Sequence, residues 1–143
     1  MADKFLFEIV TPARIMRSEE AELVVIPGGG GNFGVLPGHA PMLATLRPGT
    51  IEIRSKDLRI LEQIFIEDGF AEVTPERCTV LAEEAMRVDE ITRDEAEARL
   101  KHAHDSLLVA DTFGVRLRER ELRAAEAMCE ALDAYEASRG KSH

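Results

Sequence analysis

Tryptophan is absent from this sequence, tyrosine occurs once, and 18 basic residues stand against 27 acidic ones. The formal net charge is −9, and no long basic cluster interleaved with aromatic residues offsets it. A surface that binds nucleic acid needs a concentration of positive charge, and binding of single strands also uses aromatic side chains on which the bases stack. The composition therefore argues against a nucleic-acid-binding role, and we expect no nucleic-acid partner.

Long apolar runs and clustered cysteines are also missing. No run approaches the roughly 18 apolar residues that predict a membrane-spanning helix, and the segment Met1–Val10 lacks the apolar stretch of a signal peptide. Cys78 and Cys129 are far apart and match no metal-ligand spacing, which predicts two reduced thiols in a reducing compartment. With 143 residues, 45% of them hydrophobic, the chain is long enough for one domain or two small ones.

Glycine, by contrast, is concentrated in one segment, residues 26–41 with the sequence IPGGGGNFGVLPGHAP. Gly29, Gly31 and Gly34 satisfy the G-x-G-x-x-G pattern of dinucleotide-binding sites, and an apolar run precedes them. That site also needs a helix whose first amides meet the phosphates, but two prolines and a further glycine follow within a few residues and oppose a helix. No Lys-Ser or Lys-Thr pair closes a phosphate-binding loop either, so the pattern predicts a glycine-built loop with another purpose.

The pattern of the first part of the chain, residues 1–86, predicts short strands separated by turns. Thr50–Arg54 alternates apolar and polar residues, which is typical of a half-buried strand. Asp68 and Gly69 form a strong two-residue hairpin signal, so we expect the flanking runs to pair with each other. About ten short strands without an intervening helix predict an antiparallel β-sandwich or barrel.

The second part, residues 87–143, is rich in alanine, glutamate, arginine and leucine. Thr92 and Glu95 have the spacing of a capping box, and a stripe at helical spacing follows: Ala96, Leu100, Ala103, Leu107 and Ala110. A break at residues 111–115 precedes a second amphipathic helix over about 115–137. Two helices joined by a short break predict an antiparallel hairpin, so the predicted fold class is α+β, a β-sandwich followed by an α-helical hairpin.

Four arginines stand at the beginning of the second predicted helix: Arg116, Arg118, Arg120 and Arg123. The helix macrodipole disfavours cations there. A solvated face, with Glu119 and Glu121 offsetting part of the repulsion, is one interpretation. The other is an acidic surface on a partner that these arginines contact.

Residues suited to catalysis or metal binding show no matching arrangement. His102 and His104 are two positions apart on a helix and point to different sides, so they cannot chelate one metal together. The serines lie in no nucleophile motif, and neither cysteine has a histidine near it in sequence. We therefore expect no enzymatic activity, no metal and no cofactor.

The segment Asn32–Ile53, NFGVLPGHAPMLATLRPGTIEI, closely resembles the signature of the epsilon subunit of F-type ATP synthases, which is equivalent to the mitochondrial delta subunit. The string PGHAP in this context is the specific part. The resemblance is strong over residues 5–85, and the order of β domain and helical hairpin also agrees.

This resemblance implies a non-catalytic rotor subunit of the central stalk, bound to the gamma subunit and seated on the c-ring. Asn32 and Phe33 match positions that face the c-ring, and His39 matches a histidine near the gamma subunit. The second helix would bring Arg116, Arg118, Arg120 and Arg123 against an acidic loop of the catalytic beta subunits and inhibit ATP hydrolysis. The expected location is the cytoplasmic side of a bacterial inner membrane, as a peripheral protein without direct membrane insertion.

Two alternatives remain at this stage. Some epsilon subunits bind ATP through an [IL]-D-x-x-R-A motif, but Ile91–Ala96 reads ITRDEA, with Thr92 at the aspartate position and Glu95 at the arginine position. A carboxylate where a phosphate should bind argues against a nucleotide-sensing module, although Arg93 and Arg99 lie nearby. The other alternative is a free-standing β-sandwich adaptor, which would not co-purify with ATP synthase subunits.

Overall fold

The structure is a computed structural model that describes residues 3–140. By backbone proximity the chain divides into two compact units, one up to Arg87 and the other from Val88. The outermost residues of the two predicted domains, 1–2 and 141–143, lie outside the described residues.

Ten strands make up the first unit. They are β1 Phe5–Val10, β2 Ile15–Ala21, β3 Leu23–Gly28, β4 Gly31–Val35, β5 Met42–Leu46, β6 Gly49–Arg54, β7 Ile60–Ile66, β8 Gly69–Val73, β9 Arg77–Ala82 and β10 Ala85–Arg87. Alternation in sequence becomes alternation in burial: every second residue of β1 is buried and those between are half-buried. The prediction of about ten short strands is confirmed.

The strands form a sandwich of two halves. Hydrogen-bonded neighbours follow the order β10-β7-β6-β3-β5-β8-β9-β1-β2, with β4 paired to the remaining edge of β3. Strands β3 and β5 share only one residue pair, Gly28 with Leu46, so five strands lie on each side of this link. The inward residues of both halves share one core that includes Phe7, Ile26 and Ile51, and burial of these side chains is the main source of stability.

One strand pair departs from the antiparallel pattern. β1 pairs with β2 in antiparallel orientation but with β9 in parallel, from Leu6 opposite Arg77 to Val10 opposite Leu81. This pair joins the first strand to one near the end of the sandwich. Alternation within either strand gives no information about such a distant partner.

The hairpin predicted at Asp68 and Gly69 is wrong. β7 pairs with β6 and β10, whereas β8 pairs with β5 and β9. The chain crosses between the halves here, beside the connection from β9 to β10: Glu67 N donates to Glu84 O at 3.0 Å, and Glu83 N donates to Asp68 O at 3.2 Å. Gly69 is needed for close approach to β9 rather than for a tight turn.

Two antiparallel helices make up most of the second unit, α1 Arg93–Leu108 and α2 Val115–Gly140, after a short 3-10 turn over Val88–Glu90. The Thr92 half of the predicted capping box is confirmed, because Thr92 Oγ1 accepts a hydrogen bond from Glu95 N at 3.1 Å. At the break, Asp111 Oδ1 accepts from Gly114 N at 2.7 Å. This carboxylate places a negative charge just before α2, where the macrodipole favours one.

Candidate interaction surfaces

The glycine-rich segment forms the end of the β3–β4 hairpin. Gly28 pairs with Gly31, and Gly29 and Gly30 make a two-residue turn. A Cβ on Gly28 would lie 2.7 Å from Gly31 O and 3.0 Å from the Phe33 ring, so only glycine lets the ring pack there. A strand follows the glycines rather than a helix, and the dinucleotide-site reading is excluded by structure as well as by sequence.

Asn32 and Phe33, which the resemblance assigns to the ring contact, have different surroundings. Phe33 is half-buried and packs against the core. Asn32 is exposed, and its Oδ1 accepts a hydrogen bond from Arg47 Nη2 at 2.7 Å. We call residues 28–32 together with Arg47 the glycine tip. Asn32 presents its side chain outward from this tip, whereas the next residue, Phe33, packs against the core and supports the hairpin from inside.

His39, assigned by the resemblance to the gamma subunit, lies at the opposite end of β4 from the glycine tip. Its backbone N donates to Leu36 O at 3.2 Å, and Nδ1 lies 2.7 Å from Ala40 O. The neighbouring Gly38 N donates to Pro75 O at 2.9 Å, which fastens this loop to the β8–β9 turn. The two predicted contact points therefore face different ends of the sandwich.

An apolar strip crosses the outer face of one half of the sandwich. Its members are opposite one another on adjacent strands, in the order Phe70, Leu81, Val10 and Ile15. Phe70 is 52% exposed, Leu81 49% and Ile15 63%. A shallow depression of about 290 Å³ lies beside Phe70 and Leu81. Contiguous exposed apolar residues of this kind mark surfaces that bind other proteins.

The four arginines of the second helix do not form one surface. Arg116, Arg120 and Arg123 are spaced i, i+4 and i+7, which places them on one face, and all three are exposed. Arg118 is on another side of α2, half-buried, and its Nη1 lies 3.0 Å from Glu121 Oε2. We call the first three the arginine face.

Arg93 joins the two helices across the hairpin. Arg93 Nη1 lies 2.8 Å from Asp133 Oδ1, and Nη2 lies 2.9 Å from Glu136 Oε2. Hydrogen bonds to Glu136 and then to Asp133 raise the pKa of this guanidinium. Arg93, one of the two arginines near the missing phosphate ligand, is thus already bound to two carboxylates.

The thiols are unsuited to nucleophilic or metal chemistry. Burial raises the pKa of Cys78 to about 12 and also raises the pKa of Cys129, and only a thiolate is a good nucleophile or ligand. Among residues 3–140, no group of three or more acidic, histidine or cysteine side chains is placed to hold a metal ion. Over the same residues, no helix is both long and apolar enough to cross a membrane.

Five residues of these surfaces were not among the predicted site residues: Arg47, Phe70, Leu81, Val10 and Ile15. Phe70 and Leu81 occupy outward positions of their strands, and an apolar residue at such a position was the available signal. Arg47 gave no comparable signal, because its partners Gly28 and Asn32 are 19 and 15 residues away. The surfaces found are typical of a protein that works within an assembly.

Comparison with known proteins agrees with this class. Residues 4–88 match the family described as "ATP synthase, Delta/Epsilon chain, beta-sandwich domain". The ATP synthase epsilon chain of Paramagnetospirillum magneticum is 44% identical over 92% of this chain and 99% of its own length. The epsilon chain of Rhodospirillum rubrum is 42% identical over 92% of this chain and 96% of its own.

Solved structures show the same fold. A chain of the Euglena gracilis mitochondrial ATP synthase (OSCP/F1/c-ring) superposes with a TM-score of 0.78 at 22% identity, covering 92% of this chain and 83% of that one. A chain of the Tetrahymena thermophila mitochondrial ATP synthase (central stalk/c-ring) gives a TM-score of 0.66 at 14% identity, covering 90% and 96%. The protein therefore belongs to the delta/epsilon chain family of ATP synthases.

Proposed function

We propose that this chain is a non-catalytic rotor subunit of the central stalk of a bacterial F-type ATP synthase and links the gamma subunit to the c-ring. The observation that carries the proposal is the identity of 44% to an ATP synthase epsilon chain over nearly the whole length of both proteins. The chain then acts at the cytoplasmic side of the inner membrane as a peripheral protein. The thiols with raised pKa are consistent with this non-catalytic role.

The gamma subunit is the partner we propose for the apolar strip, together with the loop around His39. An exposed row of large apolar side chains loses contact with water when a partner covers it, which favours a stable complex. We expect the full-length chain and purified gamma subunit to co-elute in size-exclusion chromatography at micromolar concentration and physiological salt. Separate elution under these conditions would contradict the proposal, and it would also favour the alternative of a free-standing adaptor.

The c-ring is the partner we propose for the glycine tip, through Asn32 with Phe33 as support. Replacing Asn32 by arginine adds bulk and brings a second positive charge beside Arg47, so we expect proton-driven ATP synthesis to fall about tenfold. Phe33 is a poor position for a charge because its ring packs against the core. An unchanged synthesis rate in membranes that contain normally assembled Asn32→Arg enzyme would remove Asn32 from the interface.

Inhibition of ATP hydrolysis is the regulatory role we propose for the helical hairpin. The arginine face places three exposed cations in the N-terminal part of α2. Arg116 lies in the first turn, where a cation costs ~0.3–1 kcal/mol in an isolated helix at low salt. An acidic surface on the catalytic beta subunits would offset this cost, and the attraction would weaken as salt shortens the Debye length to about 8 Å near 0.15 M.

Deletion from Asp111 onward should leave assembly with gamma intact and increase ATP hydrolysis. The variant Arg116→Gln, Arg120→Gln and Arg123→Gln should reproduce this increase, whereas Arg118→Gln serves as the matched control because Arg118 lies on another side of the helix. Hydrolysis should be measured on purified synthase over a range of salt. Equal rates for the full-length, truncated and triple-variant enzymes would leave the hairpin as a brace without inhibitory function.

Nucleotide sensing by the hairpin receives no support from the contacts. Thr92 caps α1, and Arg93 is bound to Asp133 and Glu136, so a phosphate would have to displace two carboxylates. We propose that the hairpin works without bound ATP.

A further inference from the structure

Arg47 holds two separate turns together at the glycine tip. Its backbone N donates to Pro27 O at 3.0 Å, and Gly29 N donates to Thr45 O at 2.8 Å. The guanidinium then reaches over the β3–β4 turn, where Nη1 donates to Gly28 O and Nη2 donates to Asn32 Oδ1. The position of this cation is therefore set by the main chain of one turn and by the side chain of Asn32.

The guanidinium of Arg47 donates to two oxygens, and both are uncharged. Within residues 3–140 this arginine forms no ion pair, and its side chain is exposed at the end of the hairpin. A guanidinium carries five N–H donors, and these two hydrogen bonds use only two of them. The remaining donors, and the full positive charge, are presented outward in a fixed orientation.

An arginine held in this way is suited to binding oxygen acceptors. Orienting the guanidinium before binding reduces the conformational entropy lost on association, and hydrogen bonds from a charged donor are stronger than those between neutral groups. Gly28 contributes to the same arrangement, because its carbonyl is an acceptor and its lack of a side chain keeps the hairpin narrow.

We propose that Arg47 is the main binding residue of the glycine tip. Gly28 O and Asn32 orient its guanidinium, and its remaining N–H groups donate to carboxylate or main-chain carbonyl oxygens on the loops of the c-ring that meet the tip. The proposal rests on the c-ring contact proposed above. It gives Asn32 a second role, because the asparagine positions the arginine as well as lying at the contact.

The test measures the affinity of the full-length chain, in complex with its gamma subunit, for purified c-rings. Arg47→Met removes the charge at similar side-chain length, and we expect binding to weaken about tenfold. Arg47→Lys keeps the charge but cannot reach both orienting oxygens in the same geometry, so an intermediate loss is expected. Arg59→Met, at an exposed arginine of the β6–β7 turn, is the matched control and should bind as the unaltered chain does.

A double-mutant cycle tests the orientation. Asn32→Ala alone should weaken binding severalfold, and it should cost less in the Arg47→Met background, where only the direct contact of Asn32 is lost. Thermal unfolding of each variant shows whether the sandwich is intact. If Arg47→Met is unfolded, the affinities of Arg47→Lys and Asn32→Ala for c-rings test the proposal instead, because both variants are expected to bind more weakly than the unaltered chain. Carboxylate acceptors would make the effect of Arg47 decrease strongly with salt, and carbonyl acceptors much less so.

Two failures are distinguishable. If the unaltered complex does not bind c-rings, the proposed c-ring contact is wrong, and the role of Arg47 is lost with it. If the unaltered complex binds c-rings, and Arg47→Met and Arg47→Lys both bind them as tightly as the unaltered complex does, the c-ring contact stands. Only the assignment of Arg47 is then overturned.

Discussion

Replacement of Gly69 by alanine should destabilise the β-sandwich by about 3 kcal/mol or more. A Cβ at this position would overlap the carbonyl oxygen of Leu81 and lie 3.0 Å from Ala82 Cα. Both are backbone atoms of β9, which is fixed between β8 and β1, so no side-chain rotation relieves the clash. The close approach is required where the chain crosses between the two halves.

Urea denaturation followed by circular dichroism measures this effect, and Gly30→Ala is the matched control. A Cβ on Gly30 would meet nothing within 4 Å, so the control should change the free energy of unfolding by less than about 1 kcal/mol. Equal midpoints for the two variants would show that β8 and β9 separate easily at this point.

Replacement of Phe70 by glutamate should weaken binding of the gamma subunit about 100-fold while leaving the sandwich folded. The side chain is 52% exposed and points away from the core, so the change affects the surface rather than the interior. In a complex the variant would lose an aromatic contact and bury an unpaired carboxylate, and both effects are unfavourable.

Phe113→Glu is the matched control for this experiment. Phe113 is 96% exposed in the turn between α1 and α2, so the same chemical change is made far from the strip in sequence and in a different unit. Titration calorimetry of each variant with gamma gives the affinities, and thermal unfolding confirms the fold. Unaltered affinity of Phe70→Glu would move the gamma contact away from the apolar strip.

Local patterns predicted only part of this fold. Alternation and turn signals indicated β1, β3, β6, β7, β8 and β9, and the spacing of Thr92 and Glu95 indicated the start of α1. β4 was missed, because it lies within the glycine-rich segment that was expected to be a loop. The prediction at Gly69 failed because the same residue serves either a tight turn or a close contact between strands, and a sequence window does not distinguish the two. The parallel pairing of β1 with β9 depends on residues about seventy positions apart, beyond the reach of any local pattern.

The candidate surfaces were predicted less completely for a related reason. Asn32, Phe33 and His39 came from resemblance to a family, not from the physical chemistry of their neighbours. The separation of Arg118 from the arginine face follows from helical spacing alone and was available in the sequence. The orientation of Arg47 was not available in the sequence, because it depends on two turns that meet only in the folded chain.

The parallel pairing of β1 has a consequence for synthesis of the protein on the ribosome. β1 emerges first, yet one of its two neighbours is β9, and the half of the sandwich that contains β1 includes β5 and β8 as well. Until residues 77–82 have left the exit tunnel, the nascent chain carries an apolar first strand with one open edge. Such distant pairings slow folding, and open edges expose a growing chain to aggregation. The sandwich therefore cannot close before β9 is available, and a chain released before β9 exposes the surface that the finished protein buries.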